Sequence, residues 1–212
     1  MSNPRCHLTL ASGRSIDLLN PVAADYADFD TLAEHLAKEN RYNGATPGVT
    51  YSVAEHQARC ALAALDLYGS RRLAAYCAVH DNHEALLKDD TTPKKNALGE
   101  LAVERFGVLA GAIRLAFDEL TERHDVAAHH AAGLTWPISS DLAREIKTID
   151  RTLLITEWRD LMGGAALPGA EAWDDVTPLL DTIVPRPDWR TAKAMLLAVW
   201  REFLPVMGGR AN

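Results

Sequence analysis

The stretch YCAVHDNHEALLKDDTTPKK, from Tyr76 to Lys95, opens as an apolar helix face and turns abruptly polar. His80, Asp81, His83, Glu84, Asp89 and Asp90 follow within eleven residues, and then Pro93, Lys94 and Lys95. Buried carboxylates and imidazoles are costly unless they are paired or bound to a metal. The stretch is therefore either a solvated helix end or a metal site with cations behind it.

Spacing adds partners from elsewhere in the chain. His56 falls one turn into a helix that should start after Ser52, and the His80-Asp81 pair lies along a second helix. Asp150 lies mid-way along a third, flanked by Ile146, Ile149, Leu153 and Leu154. An aspartate inside an apolar helical stretch calls for a reason. Two imidazoles and two carboxylates from three packed helices would form an N2O2 metal site in a bundle core. Such a donor set suits Mn, Fe, Co, Ni or Zn better than Ca.

Helical geometry places helpers beside that set. Glu84 is one turn after His80, so its carboxylate is expected next to the reacting water. Lys147 is three residues before Asp150 and points the same way. Lys95 follows Pro93, past the expected end of the dyad helix, and Arg41 precedes an Asn-Gly turn. A metal, an acid and three cations are the parts of a phosphate-ester site.

Each part also has a plain structural reading. His56 can be an ordinary residue of a capped helix. Asp150 can pair with Lys147 or Arg151, and Lys94 and Lys95 can be a solvated helix end. His83 is expected to face outward. Cys60, one turn after His56, is expected to pack and not to bind metal. His129 and His130 have no partner at a diagnostic spacing. Trp136, Trp158 and Trp200 read as core or interface residues.

The elements that must position these residues are helical. Two short strands, His7–Leu10 and Ser15–Leu19, flank the turn Ser12-Gly13. After Pro21 apolar residues recur every three or four positions, as at Leu32, Ala33, Leu36 and Ala37. Ser52-x-x-Glu55 is a capping box that starts a helix ending at Gly69, and Ser70 caps the next. One long helix is expected from Asn96 to His124, with Gly99, Gly107 and Gly111 as weak points. Ser139 or Ser140 caps the Asp150 helix, and Asp188 caps the last. The Pro- and Gly-rich stretch 163–187 is a connection. The fold class is all-α, a helical bundle with a small N-terminal β-hairpin, in a single domain over 1–212.

Bulk properties bound the function. The 212 residues are 48% hydrophobic and 24% charged, which is ordinary for one globular domain. A net charge of −7 argues against a general nucleic-acid partner. It leaves room for a small anionic substrate in a locally basic pocket. Three widely spaced cysteines without a C-x-x-C suit reduced thiols. The N-terminal segment lacks the pattern of a signal peptide, and no apolar run is long enough to span a membrane. A cytoplasmic protein is expected, or one of the host cytoplasm if phage-encoded. The apolar run AMLLAVW near the C-terminus could serve a homo-oligomer interface.

The set His56, His80-Asp81 and Asp150 resembles the H…HD…D signature of the HD-domain phosphohydrolases, and the resemblance covers most of the chain. YSVAEHQ resembles that family's first-histidine segment. HDNHEALLKDDTTPKK resembles the dyad helix of the small-nucleotidase branch, and IKTIDRTLLITEWRDLM resembles the final-aspartate helix. Members of that branch include bacterial 5′-deoxynucleotidases and phage dATP triphosphohydrolases. The resemblance implies that His56, His80, Asp81 and Asp150 ligate a divalent transition metal (Co, Mn, Zn or Fe), with Mg as a candidate second ion. It implies that Glu84 sits beside the nucleophilic water and that Asp89 shapes the pocket and acts near the leaving oxygen. Arg41, Lys95 and Lys147 would bind phosphate, and Tyr42 would lie near the sugar or base. The substrate would be a deoxynucleotide, either a monophosphate or a triphosphate. Lys88 stands where relatives often carry Gly, and Asn82 and His83 replace small residues, so loop shape and selectivity are open. A non-catalytic HD-like domain that binds a nucleotide and signals to a partner is the alternative.

Overall fold

The structure is a computed structural model that describes residues 4–107, 110–167 and 176–208. Its elements are a two-stranded antiparallel hairpin and, among the described residues, eight α-helices. The hairpin pairs β1 (His7–Thr9) with β2 (Ser15–Asp17), with Leu8 opposite Ile16. It turns through Gly13, whose φ of 83° is a conformation that L side chains avoid.

The core is built around α2 (Val53–Tyr68). Ser52 Oγ accepts from the Glu55 backbone N–H at 3.2 Å to start it, and Gly69 ends it in the left-handed region. The expected capping box is half realised. The Glu55 carboxylate instead accepts from the Arg59 side chain and from the Arg186 backbone N–H. Ala54, Ala58, Ala61 and Ala64 of α2 are fully buried, and such small side chains let neighbouring helices approach closely. Around it pack α1 (Phe29–Lys38), α3 (Arg71–Cys77), α7 (Ser140–Leu161) and α8 (Trp189–Phe203). The caps at Ser70, Ser139 and Asp188 each accept from the backbone N–H three residues on. Leu196, Leu197, Val199 and Trp200 of α8 are buried within the chain, so most of the run AMLLAVW packs in this core and not at an interface.

Three elements differ from the sequence expectation. The dyad helix ends at Cys77, and residues 78–83 form turns before a single-turn helix, α4 (Glu84–Leu87). Side chains claim the carbonyls that would continue it. His80 Nδ1 takes Cys77 O at 2.7 Å, while Trp200 Nε1 and Gln57 Nε2 both donate to Ala78 O. The backbone tightens to i→i+3 bonds, such as Asn82 N–H to Val79 O and Glu84 N–H to Asp81 O. His80 and Asp81 therefore stand on a turn and not midway along a helix.

Lys95 lies past the dyad segment, but not on a solvated helix end. It belongs to the first turn of α5 (Thr92–Phe106), where Pro93 is tolerated because its missing N–H would have no intrahelical partner. The expected long helix is two, α5 and α6 (Ala110–Ala131), with Gly107 at a φ of 59° closing the first. They pack on each other, and α6 also packs on the 3-10 turn Ala23–Tyr26. There Tyr26 Oη and His124 Nδ1 meet at 2.6 Å. Part of the connection 163–187 lies outside the described residues. No described helix is long and apolar enough to cross a membrane.

Candidate metal centre

The three predicted segments meet. His56 Nε2, on α2, lies 3.3 Å from Asp150 Oδ1 on α7 and 3.7 Å from Asp81 Oδ2 on the turn. His80 Nε2 lies 3.2 Å from the same Asp81 oxygen. The two imidazole rings are 5.3 Å apart between centroids. His56 is completely buried, and Asp81 and Asp150 keep a small exposed fraction, so the cluster opens on their side.

Each imidazole is fixed from behind. His56 Nδ1 faces Glu157 Oε1 at 2.6 Å, and His80 Nδ1 faces Cys77 O at 2.7 Å. A carboxylate and a carbonyl only accept, so both Nδ1 atoms carry the proton. Both Nε2 atoms turn toward the cluster; burial and Arg41 oppose charge on His56, but Cys60, Glu157 and the Asp150 hydrogen bond hold its imidazole well above the usual range, so binding a metal there would release the Nε2 proton. His80 Nε2 is buried without a hydrogen-bond partner, since Asp81 at 3.2 Å does not meet hydrogen-bond geometry. Two oriented imidazole Nε2 atoms beside two carboxylates fit a divalent transition metal, and oriented histidines with an anchored second nitrogen are typical of such sites.

Glu157 is the residue that sequence reasoning missed. It is fully buried and two turns after Asp150 on the same face of α7. Its other oxygen accepts from Tyr42 Oη at 2.6 Å and from Arg41 Nε at 3.1 Å. Burial opposes its charge, but Arg41, His56 and Tyr42 hold its carboxyl down at about 2. The signal was available: a second acid at i+7 from Asp150, within the same partly apolar helix.

Arg41 and Tyr42 were expected at the substrate. Both are engaged with Glu157, and Arg41 Nη1 also comes to 3.8 Å from Asp81 Oδ2. Tyr42 sits at a φ of 57°, unusual for a non-glycine residue, and its ring meets Trp158 edge-on. These two residues brace the His56 wall of the cluster.

The acids and lysines are disposed as follows. Glu84 Oε2 is buried and unpartnered; burial, then Asp81 and Asp89, push its carboxyl well above the usual range. Asp89 is also raised, first by burial. It follows Lys88, which holds a φ of 77°, a conformation that favours glycine. Lys147 Nζ lies 2.6 Å from Asp150 Oδ2, so the ordinary ion pair exists within the cluster itself. Lys95 is half-buried and makes no ion pair among the described residues.

His83 corrects its expectation. It turns inward, and its Nδ1 lies 2.9 Å from Asp125 Oδ1 on α6, with 15% of the side chain exposed. Burial opposes charge there, but the Asp125 hydrogen bond and charge, with Glu84 and Asp81, raise it to about 9. Cys60 Sγ lies 3.5 Å from His56 Nε2 and 4.0 Å from Nδ1. Similar distances to both ring nitrogens put the sulfur off the Nε2 lone-pair axis. His129 is buried against Tyr76 and Trp136 with its Nδ1 on Asp125 O, and Trp200 is wholly core.

Two groups of ligand-type atoms, His56–Cys60–His80 and Asp81–His83–Glu84, lie each within 4.8 Å of one another. Fold and site define an all-α protein with a buried histidine–carboxylate cluster able to hold a metal. No known protein-family model matches the chain. It is 32% identical over 163 residues to an uncharacterized protein of Rhodobacter capsulatus, an alignment covering 73% of this chain and 72% of that one. The chain belongs to the same family as that protein.

Proposed function

We propose that the protein is a metal-dependent phosphohydrolase of the HD-domain kind, acting on the 5′ phosphate ester of deoxynucleotides. The observation that carries this reading is the pair of imidazoles whose Nδ1 atoms are anchored and whose Nε2 atoms converge on Asp81 and Asp150. His56, His80, Asp81 and Asp150 would hold a divalent transition metal. When bound, such an ion supplies Lewis-acid polarisation of a phosphoryl oxygen and lowers the pKa of water.

The remaining roles belong to the chain. Glu84, buried beside Asp81 with a free oxygen, moves the proton of the attacking water. Asp89 shapes the pocket and acts on the leaving 5′ oxygen. Lys95, without an ion-pair partner among the described residues, and Lys147, at the exposed rim, take phosphate oxygens. Arg41 adds positive charge at the edge of Asp81, and Tyr42 borders the sugar or base side. The bond cleaved lies between the 5′ oxygen and the α-phosphorus, so a monophosphate releases phosphate and a triphosphate releases triphosphate.

The reading is tested by incubating the protein with each dNMP and dNTP in the presence of Mn, Co, Zn or Mg and separating the products chromatographically. Deoxynucleoside together with phosphate or triphosphate is expected. Deoxynucleoside diphosphate as the first product, or no turnover with any ion, would contradict it. The same reading carries a cytoplasmic homo-oligomer, to be checked by sizing the purified protein.

A further inference from the structure

We infer that the two-helix arm of α5 and α6 is the face on which a second copy of this chain docks. This rests on the reading above only in taking the protein as a homo-oligomer, and it gives that oligomer a surface. α5 packs on α6, and Ala102 is the single buried side chain among its fifteen residues. In α6 no described residue before His124 is buried. A helix of such length draws most of its stability from packing an apolar face. Here apolar side chains meet solvent instead: Val103 is 53% exposed, Phe106 62% and Leu115 69%.

Spacing shapes the face. Val103 follows Gly99 by four residues and Phe106 follows Val103 by three, so the three form one row along α5. Glycine weakens a helix interior. No described atom outside the helix's own backbone comes within 4 Å of where a Cβ would stand at Gly99, or at Gly111 in α6. The fold of one chain therefore does not use these glycines, whereas a second helix laid on the row could approach closely. Charge selects the occupant. Residues 92–123 carry five cations and five anions and are neutral, while the whole chain carries −7. A strongly charged partner finds no counterpart on this arm. A second copy meets it without the repulsion that acidic faces of the chain would set against it. Two copies related by a two-fold axis set arm on arm as a four-helix bundle, with Val103 and Phe106 of each copy in the seam.

Sedimentation of the full chain over a concentration series reads its mass with neither metal nor substrate present, so the outcome is independent of whether the protein hydrolyses nucleotides. The wild type should be a dimer. The double variant Val103→Glu, Phe106→Glu alters two exposed positions and should be a monomer with wild-type helicity by circular dichroism. Leu67→Glu, at an apolar position of α2 that is 56% exposed, should remain a dimer. The same mass in the wild type and the double variant overturns the inference, and so does an equal loss of the dimer in Leu67→Glu. Hydrogen exchange of the wild type needs no variant to fold. Amides of residues 98–106 should be more protected at high protein concentration than after dilution below the dissociation range. Protection of that segment that does not change with concentration would overturn the docking face.

Discussion

Glu157 Oε1 stands 2.6 Å from His56 Nδ1, with both side chains fully buried. This contact fixes which nitrogen of His56 faces Asp81 and Asp150. It also links the centre to Arg41 and Tyr42, which share the other Glu157 oxygen.

Glu157→Gln keeps the shape and removes the charge, so His56 loses its anionic partner. Metal affinity is expected to fall by about 10- to 100-fold, the usual effect of losing a ligand's anchor. Competition of the variant against a chromophoric chelator measures it. Glu157→Ala strands Arg41 in the interior and should cost about 3–5 kcal/mol of stability. An unchanged metal affinity in the Gln variant would show that the anchor is dispensable.

Glu84→Gln should retain the ion held by His56, His80, Asp81 and Asp150, because Glu84 is not one of those four ligands. Turnover should drop by about 100- to 10,000-fold if its carboxyl handles a proton in the reaction. Single-turnover rates with metal content measured on the same sample separate the two effects. A parallel loss of that ion would make Glu84 a ligand.

Much of this was legible in the sequence, for reasons that differ by residue. Apolar periodicity placed α1, and caps placed α2, α7 and α8, because each of those three starts on a side chain that accepts from the backbone N–H three residues on. The convergence of His56, the dyad and Asp150 followed from polar residues set in apolar stretches. The turn at 78–83 was hidden, since it depends on Trp200 and Gln57 reaching Ala78 O from distant positions. His83 was misplaced for the same reason: its partner Asp125 is 42 residues away. Glu157 was overlooked because a glutamate near a helix end reads as solvated until Arg41 and Tyr42 are folded against it.

Lys95 and Lys147 separate the phosphate clamp from the metal. Replacing either with Ala should leave the fold intact. The Lys147–Asp150 pair has an exposed lysine, and such pairs contribute at most about 1 kcal/mol. If the lysines hold the outer phosphates, kcat/KM should fall by roughly 10- to 100-fold for a dNTP and much less for the matching dNMP. Equal losses on both would put the lysines on the α-phosphate. No loss on either would return them to solvated helix faces.

Metal analysis of wild type and Asp81→Ala after exhaustive dialysis tests the central claim most directly. Asp81 Oδ2 is the oxygen that faces both imidazoles, and its removal leaves three donors around an incompletely neutralised cation. The wild type should retain a stoichiometric transition-metal ion and the folded Asp81→Ala protein should retain almost none. Equal metal in the two proteins, or a folded wild type that holds no ion when offered Co, Mn, Zn or Fe, would contradict the account.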